Sequence, residues 1–170
     1  MSAAFLEASL AGDRARMEAL LGARVPLDWP EEQYARLWLG WLRERPELEP
    51  WLARALVLQD ERRMVGHAGF HSAPAPPYLD AYLPGAIEIG YTVFAADRRR
   101  GYAREAVVAL MAFARREQPA LTGFVASIAP SNTPSLALVR GLGFAKIAEY
   151  DDPVDGLEHV FALRLSSEAS

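Results

Sequence analysis

Apolar residues in the first part of the chain recur at helical spacing, whereas later ones fall in short runs. The spacing predicts one helix over residues 4–21, weakened by Gly12, with Asp13 as an N-cap at which the helix could restart. A second amphipathic helix is predicted over residues 31–45, ending before a proline. One face of this helix carries a stripe of large apolar and aromatic residues. We expect this stripe to pack in the core, and the alternative is that it forms a wall of a substrate pocket. The stripe consists of Tyr34, Leu37, Trp38, Trp41 and Leu42.

The remainder of the chain is predicted to alternate between strands and helices. Strands are predicted over 55–58, 64–70, 86–94, 121–128, 144–150 and 157–165, and helices over 103–116 and 134–142. Thr133 is the expected N-cap of the last helix, Gly143 follows its end, and a turn over 151–156 joins the last strands. The helix between the third and fourth strands predicts a βαβ crossover. The fold class is therefore α/β, a mixed and mostly antiparallel sheet flanked by about four helices.

Composition narrows the domain organisation and the class of function. The 170 residues, 51% of them apolar, fit a single domain over residues 1–170 without repeats or linkers. A net charge of −4 argues against nucleic-acid binding. Without cysteine, disulfides, thiolate nucleophiles and cysteine-based metal sites are excluded. No secretory signal or membrane-spanning apolar run is visible, so we expect a cytoplasmic protein.

The segment between the third strand and the next helix carries the strongest chemical signal. Three arginines, Arg98, Arg99 and Arg100, precede Gly101 at the start of the helix. A helix start attracts anions through its free N–H groups and its dipole, glycine permits close approach, and arginine suits phosphate. Arginines at this end oppose the helix dipole, so a bound anion explains them better than a solvated basic turn. We predict phosphate binding at this loop.

Two motifs together resemble the GNAT superfamily of N-acetyltransferases. The first is Arg98-x-x-Gly101-x-Ala103, preceded by a strand Glu88-Ile-Gly-Tyr-Thr-Val93; the second is Asn132-x-x-Ser135-x-x-Leu138, followed by Leu142-Gly143-Phe144. The resemblance extends over residues 65–165 and is nearest to the branch that acetylates the N-termini of ribosomal proteins. It implies a GNAT fold with a cofactor-binding half over residues 86–165 and acceptor-binding elements over residues 1–85.

The same resemblance implies acetyl-CoA as co-substrate and no metal. Its pyrophosphate would lie on the loop, its pantetheine arm would pair with the open edge of the third strand, and its thioester end would meet the second motif. The implied binding residues are Tyr91, Thr92, Val93, Arg98, Arg99, Arg100, Gly101, Tyr102, Ala103, Asn132 and Ser135. Asn132 could also cap the last helix, which is compatible with binding.

Acetyl transfer to an amine needs a proton acceptor and a donor for the leaving thiolate. Glu88 is the candidate base, because it interrupts an apolar strand and burial would raise its pKa. The alternative is an ion pair with a neighbour such as Arg54. The tyrosine that the family often carries on the last helix is replaced by Val139, which leaves Ser135, a water or Tyr91 as the proton donor.

Two further features leave alternatives open. His67 and His71 fall on one face of the second strand, but no third metal ligand is apparent, so a polar lining or a surface pair is favoured. The chain also begins in a helix, whereas the family begins with a strand. A missing strand would leave one edge of the sheet available for pairing with another chain. A second copy of this chain is one such partner, and the result would be a homodimer.

The sequence therefore predicts an acetyl-CoA-dependent N-acetyltransferase that moves an acetyl group directly to a primary amine. One alternative is a non-catalytic acyl-CoA-binding sensor of the same fold, and another is a nucleotide-phosphate binder unrelated to CoA. The acidic charge, with Asp80 and Glu88, favours a cationic acceptor such as a peptide N-terminus, a polyamine or an aminoglycoside. The aromatic residues leave an apolar amine possible as the acceptor. Neither nucleic acid nor membrane is expected as a partner.

Overall fold

The computed structural model describes residues 1–153 and 156–166, which form five α-helices and six strands. The helices are α1 (Ala3–Leu10), α2 (Arg14–Leu21), α3 (Glu32–Glu44), α4 (Tyr102–Glu117) and α5 (Thr133–Gly141). The strands are β1 (Arg54–Leu58), β2 (Arg63–Phe70), β3 (Ile87–Val93), β4 (Gly123–Ile128), β5 (Ala145–Asp152) and β6 (Gly156–Arg164). None of the helices in this described part has the length and apolar character that a membrane crossing requires.

The strands follow the order β1-β2-β3-β4-β6-β5, in which β3 and β4 run parallel. The pairs β1–β2, β4–β6 and β5–β6 are antiparallel. This arrangement confirms the predicted α/β fold class and the crossover through α4. The chain divides into two compact units, the first with residues 1–69 and 91–107, the second with residues 70–90 and those from 108 onward. One domain over residues 1–170 stays a prediction.

In the first unit, the predicted helix over residues 4–21 is divided into α1 and α2. Gly12 takes a φ of +69° after α1, and the Asp13 carboxylate accepts the Arg16 N–H at 3.0 Å as the N-cap of α2. The apolar pattern runs across this break because both helices bury one face in the same unit, so periodicity alone predicts a single helix. The break accounts for five helices where about four were predicted.

The aromatic stripe of α3 is not buried in the core of the first unit. The buried residues of this helix are Ala35, Leu39 and Leu42. Its three aromatic side chains are only half-buried, and Leu37 is 45% exposed. Trp38 nevertheless stacks on the buried Trp29 at a centroid distance of 6.4 Å, so the core-packing interpretation holds for Leu42 and in part for Trp38, while Leu37 borders solvent.

In the second unit, β3 pairs with β4 at Ile87–Phe124 and Glu88–Val125. One apolar cluster of its core contains Leu79, Leu83, Ala86, Val125, Val160 and Ala162. The N-cap of α5 is Asn132 rather than Thr133, because the Asn132 side-chain oxygen accepts the N–H three residues on, that of Ser135. Gly143 follows α5 with a φ of +89°, as predicted. The predicted turn over 151–156 includes residues 154 and 155, which lie outside the described part.

Candidate functional site

The loop before α4 belongs to the first unit and presents an anion-binding arrangement. Arg98, Arg99 and Arg100 are exposed, and Arg99 and Gly101 take φ values of +64° and +86°. The Glu105 N–H donates to the Gly101 carbonyl at 3.1 Å. Because this bond closes the first turn, the earlier N–H groups of that turn have no acceptor within the helix. They are available to an anion together with the positive end of the helix dipole.

The backbone at Gly101 is open. A Cβ placed there would meet no atom within 4 Å, and the positive φ itself favours glycine. A phosphate could therefore approach the peptide closely, which any longer side chain would hinder. Open backbone, free N–H groups and exposed guanidinium groups are chemically suited to the pyrophosphate of acetyl-CoA.

A buried ion pair anchors this loop to β2. The Arg63 guanidinium donates to both carboxylate oxygens of Asp97, at 2.7 and 3.0 Å, and Asp97 is 4% exposed. These hydrogen bonds hold the pKa of Asp97 below its ordinary value, although burial acts in the opposite direction. The Arg98 Nε also donates to the Val93 carbonyl at 3.0 Å. Sequence analysis missed this anchor, although an aspartate directly before three arginines could have signalled it.

The predicted pantetheine-binding residues, Tyr91, Thr92 and Val93, are half-buried at the end of β3. The Phe94 N–H donates to the Val65 carbonyl of β2 at 2.9 Å. Gly66 lies so close to the Thr92 carbonyl that a Cβ there would clash with it. This close pairing with β2 fixes the end of β3 that leads into the arginine loop. Tyr102 and Ala103 begin α4 and are also half-buried.

Glu88 lies in the second unit at the centre of a polar cluster. The Ser127 hydroxyl donates to Glu88 Oε1 at 2.6 Å, and His71 Nδ1 lies 3.4 Å from Glu88 Oε2. The Tyr78 hydroxyl also hydrogen-bonds this carboxylate. We define these four residues as the Glu88 cluster; Ser127, Tyr78 and His71 were not among the predicted site residues.

The pKa of Glu88 is lowered, whereas the sequence predicted a raised value. Burial alone would raise it, but the hydrogen bond and the charge of His71, with the hydroxyl groups of Ser127 and Tyr78, bring the pKa to about 2. The error arose because burial could be inferred from the apolar neighbours, while the partners come from other strands and a loop. Glu88 is therefore a carboxylate at any pH near neutrality.

Strand pairing explains how the cluster assembles. The His71 N–H, directly after the end of β2, donates to the Glu88 carbonyl of β3 at 3.1 Å, which sets the two residues side by side. On β4, Glu88 is opposite Val125, and Ser127 lies two positions further on the same face. The predicted alternative partner, Arg54, instead donates to the Pro50 carbonyl. An ion pair of Glu88 does form, but with His71.

The second predicted motif lies at the start of α5. Asn132 is exposed, and its side-chain oxygen accepts the Ser135 N–H at 3.3 Å. The structure thus shows the capping role of Asn132. Contact of Asn132 or Ser135 with a cofactor remains a prediction, as does the catalytic role of Ser135.

His67, in the first unit, faces a different carboxylate. His67 Nε2 lies 3.2 Å from Glu31 Oε1, and its ring meets Trp29 and Trp38 edge-on at centroid distances of 5.7 and 5.3 Å. Each histidine therefore has its own acidic partner, and the predicted surface pair does not form, because His67 is buried and His71 is half-exposed. The described residues contain no group of three or more acidic or histidine side chains placed to hold a metal.

Comparisons with known proteins identify the family of this chain. A family model described as the acetyltransferase (GNAT) domain matches residues 3–145. The chain therefore belongs to the GNAT acetyltransferase family. None of the curated proteins matches it.

Several solved structures share the fold. A GnaT-family protein from Bordetella pertussis is 26% identical, with a TM-score of 0.60 over 79% of this chain and 78% of its own. A ribosomal-protein-alanine N-acetyltransferase from Brucella melitensis is 20% identical, with a TM-score of 0.62 over 97% of both chains. The yncA protein of Salmonella typhimurium, solved with its cofactor acetyl-CoA, is 21% identical, with a TM-score of 0.60 over 96% and 92% of the two chains.

Proposed function

We propose that the protein is an acetyl-CoA-dependent N-acetyltransferase that moves the acetyl group directly to a primary amine. The observation that carries this proposal is the open, arginine-flanked start of α4 in a chain of the GNAT family. When bound, acetyl-CoA would supply the acetyl thioester. The residues proposed to hold it are Tyr91, Thr92, Val93, Arg98, Arg99, Arg100, Gly101, Tyr102, Ala103, Asn132 and Ser135.

The loop residues have distinct tasks in this proposal. The N–H groups around Gly101 would bind the pyrophosphate oxygens, and the exposed Arg99 and Arg100 would offset their charge. The ion pair of Arg63 with Asp97 would keep the loop in one conformation, so that less conformational entropy is lost when the ligand binds. Arg63 and Asp97 are thus positioning residues for the cofactor.

The proposed catalytic residues, Glu88 and Ser135, both belong to the second unit. The Ser135 hydroxyl would give a proton to the leaving thiolate, since this chain has Val139 where the family often has a tyrosine. Glu88 would act as the permanent negative charge of the site. With a pKa of about 2, it is a weak proton acceptor by itself and would act through a group that it contacts.

A cationic amine is the proposed acceptor. The chain carries a net charge of −4, which attracts cations over distance. The Brucella neighbour is named for acetylating an alanine of a ribosomal protein, so a peptide with a free N-terminal alanine is the first acceptor to test. A polyamine and an aminoglycoside represent the other predicted acceptor classes.

The test is acetyl transfer from isotopically labelled acetyl-CoA to these three kinds of amine, followed by mass spectrometry. We expect the label on the amine nitrogen of at least one acceptor, with release of free CoA. A non-catalytic sensor would bind acetyl-CoA and label none of them. Ser135→Ala should slow the transfer less than a change at Glu88, because a water can replace a hydroxyl donor.

A further inference from the structure

We propose that His71 is the catalytic residue that takes the proton from the acceptor amine, and that Glu88 orients it; this inference rests on the proposed function. The pair differs in exposure in the way that such a role requires. The His71 side chain is 50% exposed, whereas the Glu88 side chain behind it is 8% exposed. The imidazole ring of His71 is therefore accessible to a substrate, while the buried carboxylate of Glu88 faces the ring.

The geometry of the pair also selects the reactive nitrogen. Nδ1 of His71 is the ring nitrogen that faces the Glu88 carboxylate, at 3.4 Å. A carboxylate in that position favours a proton on Nδ1, so a neutral ring carries its lone pair on Nε2. An imidazole held in this way by a buried carboxylate is the arrangement by which histidine bases are oriented in hydrolases.

The remaining partners of Glu88 keep its carboxylate fixed. Ser127 donates to the oxygen that does not face His71, at 2.6 Å. The hydroxyl of Tyr78 hydrogen-bonds both Glu88 and Ser72. Burial and the Glu88 charge raise the pKa of Tyr78, so it remains a neutral donor near neutral pH. A carboxylate satisfied by hydroxyl donors has little reason to take up a proton itself.

Gly90 provides the space in which the histidine ring lies. A Cβ at Gly90 would come within 2.5 Å of His71 Nε2, which no side chain could tolerate without displacing the ring. The φ of Gly90 is not positive, so its backbone conformation does not itself require glycine. A side chain at position 90 would therefore have to displace the His71 ring, so glycine at this position keeps the ring where it lies beside Glu88.

The proposed step balances in atoms and charge. The amine nitrogen forms a C–N bond with the acetyl carbon, the C–S bond breaks, and the thiolate of CoA leaves with the electron pair. Nε2 of His71 takes one proton from the cationic ammonium group, which frees the nitrogen lone pair for attack, while Glu88 stabilises the imidazolium; the second proton, lost as the amide forms, passes to solvent. The thiolate is protonated by Ser135 or solvent, and His71 returns its proton to solvent. The products are an N-acetyl amine and free CoA.

The charges around His71 set the pH range of this step. Burial of the ring lowers its pKa, but the hydrogen bond and charge of Glu88, with the more distant charge of Glu158, raise it above 6.5 overall. Tyr78 is neutral in this range and adds no charge. A base must be unprotonated to work, so the reaction rate should rise as pH increases through the raised pKa of His71.

The first arm of the test needs no acceptor. NMR titration of the His71 ring in the full chain should give a pKa above 6.5, and in Glu88→Gln the pKa should fall. Glu31→Gln, the same change at the partner of His67, is the matched control and should leave the His71 titration unchanged. A His71 pKa at or below 6.5, or one that Glu88→Gln does not lower, overturns the pairing.

The second arm measures acetyl transfer against pH with acetyl-CoA and the N-terminal alanine peptide, or with hydroxylamine as a small general acceptor. His71→Ala should lose about 10²–10⁴-fold in kcat at neutral pH while acetyl-CoA affinity holds. Added imidazole should restore part of the rate in His71→Ala, and not in Glu88→Gln. In Glu88→Gln the rising limb of the pH profile should move to lower pH, because His71 has lost the charge that raised its pKa.

These outcomes separate the two proposals. If the wild type binds acetyl-CoA and labels no acceptor, the proposed function fails, and the role of His71 as an amine base fails with it. If the wild type transfers acetyl but His71→Ala keeps its rate and pH profile, only the role of His71 is overturned. Folding of each variant is checked by circular dichroism, and His67→Ala reports what loss of a strand histidine costs without the proposed chemistry.

Discussion

Two histidine–carboxylate pairs, one in each compact unit, show opposite patterns of burial. In the first unit, the side chain of His67 is 7% exposed and that of Glu31 is 32% exposed. In the second unit, the order is reversed, since His71 is 50% exposed and Glu88 8% exposed. The two histidines are four positions apart on one stretch of chain, yet they present different members of the pair to solvent.

This reversal indicates different roles. His67 is enclosed by tryptophan rings, and the Trp29 indole in turn donates to the Ser9 hydroxyl at 2.9 Å, so its surroundings are those of a packed core. Glu31 lies at the N-cap of α3 but makes no capping hydrogen bond and faces His67 instead. The His67 pair therefore fixes packing between α3 and β2. In the second unit a buried carboxylate faces a half-exposed imidazole, which is the arrangement that the proposed role of His71 uses.

The largest expected effect is on turnover. Glu88→Gln should lower kcat by about 10²–10⁴-fold with little change in acetyl-CoA affinity, because His71 loses both its orientation and its counter-charge. Steady-state kinetics with calorimetric binding alongside measures both quantities. Glu31→Gln is the control and should retain the wild-type kcat; equal losses in the two variants would erase the distinction between the pairs.

A smaller effect is expected on stability, and here the order of the pairs is reversed. His67→Gln should lower the free energy of unfolding by about 1–3 kcal/mol, because it removes a buried ring that packs edge-on against both Trp29 and Trp38. His71→Gln, at a half-exposed position, should change it less. Urea unfolding of both variants decides the matter, and a larger loss in His71→Gln would contradict this assignment.

The smallest expected effect is the pH dependence of stability that the His71–Glu88 pair contributes. The pKa of Glu88 is lowered from 4.5 to about 2, so its ionised carboxylate stabilises the folded protein above pH 4.5. This stabilisation is lost as pH falls toward 2. The pKa of His71 is raised in the folded protein, so its protonated ring stabilises the fold below pH 6.5. This stabilisation is lost as pH rises through the folded pKa of His71. The contribution should thus be greatest between pH 4.5 and 6.5. Because His71 is half-exposed, it should be only about 0.2–1 kcal/mol.

Thermal melts of wild type and His71→Gln across the pH range measure this contribution. The difference in Tm between the two proteins should be largest inside the window and should narrow on both sides of it. A difference in Tm that grows steadily toward alkaline pH would mean that the surroundings of His71 destabilise its protonated form instead of stabilising it.

The fold was predictable because its signals are local. Apolar spacing located the helices and strands, and glycine and proline marked the ends of most of them. The break at Gly12 and the only partial burial of the aromatic stripe of α3 were not predicted, because both depend on which face each helix buries. Tertiary packing determines which face of a helix is buried, and the spacing of apolar residues along one helix does not show it.

The candidate site was predictable only where its residues are consecutive. The arginine loop and the cap at Asn132 have motifs that can be found along the chain, and Glu88 stands out within an apolar strand. Its partners could not be found this way, since His71, Tyr78 and Ser127 come from three separate segments that strand register brings together. The direction of the Glu88 pKa shift depends on those partners and was therefore predicted wrongly.

The most direct test of acetyl-CoA binding at the arginine loop is calorimetric titration of wild type, Gly101→Asp and Gly12→Asp. Both glycines have positive φ and open space around them, so the two variants carry the same backbone strain. Gly101→Asp should weaken acetyl-CoA binding at least tenfold, about 1.4 kcal/mol, because its side chain blocks the backbone and repels phosphate. Gly12→Asp should bind like wild type. An unchanged Kd in a folded Gly101→Asp variant would contradict the assignment of this loop to the cofactor.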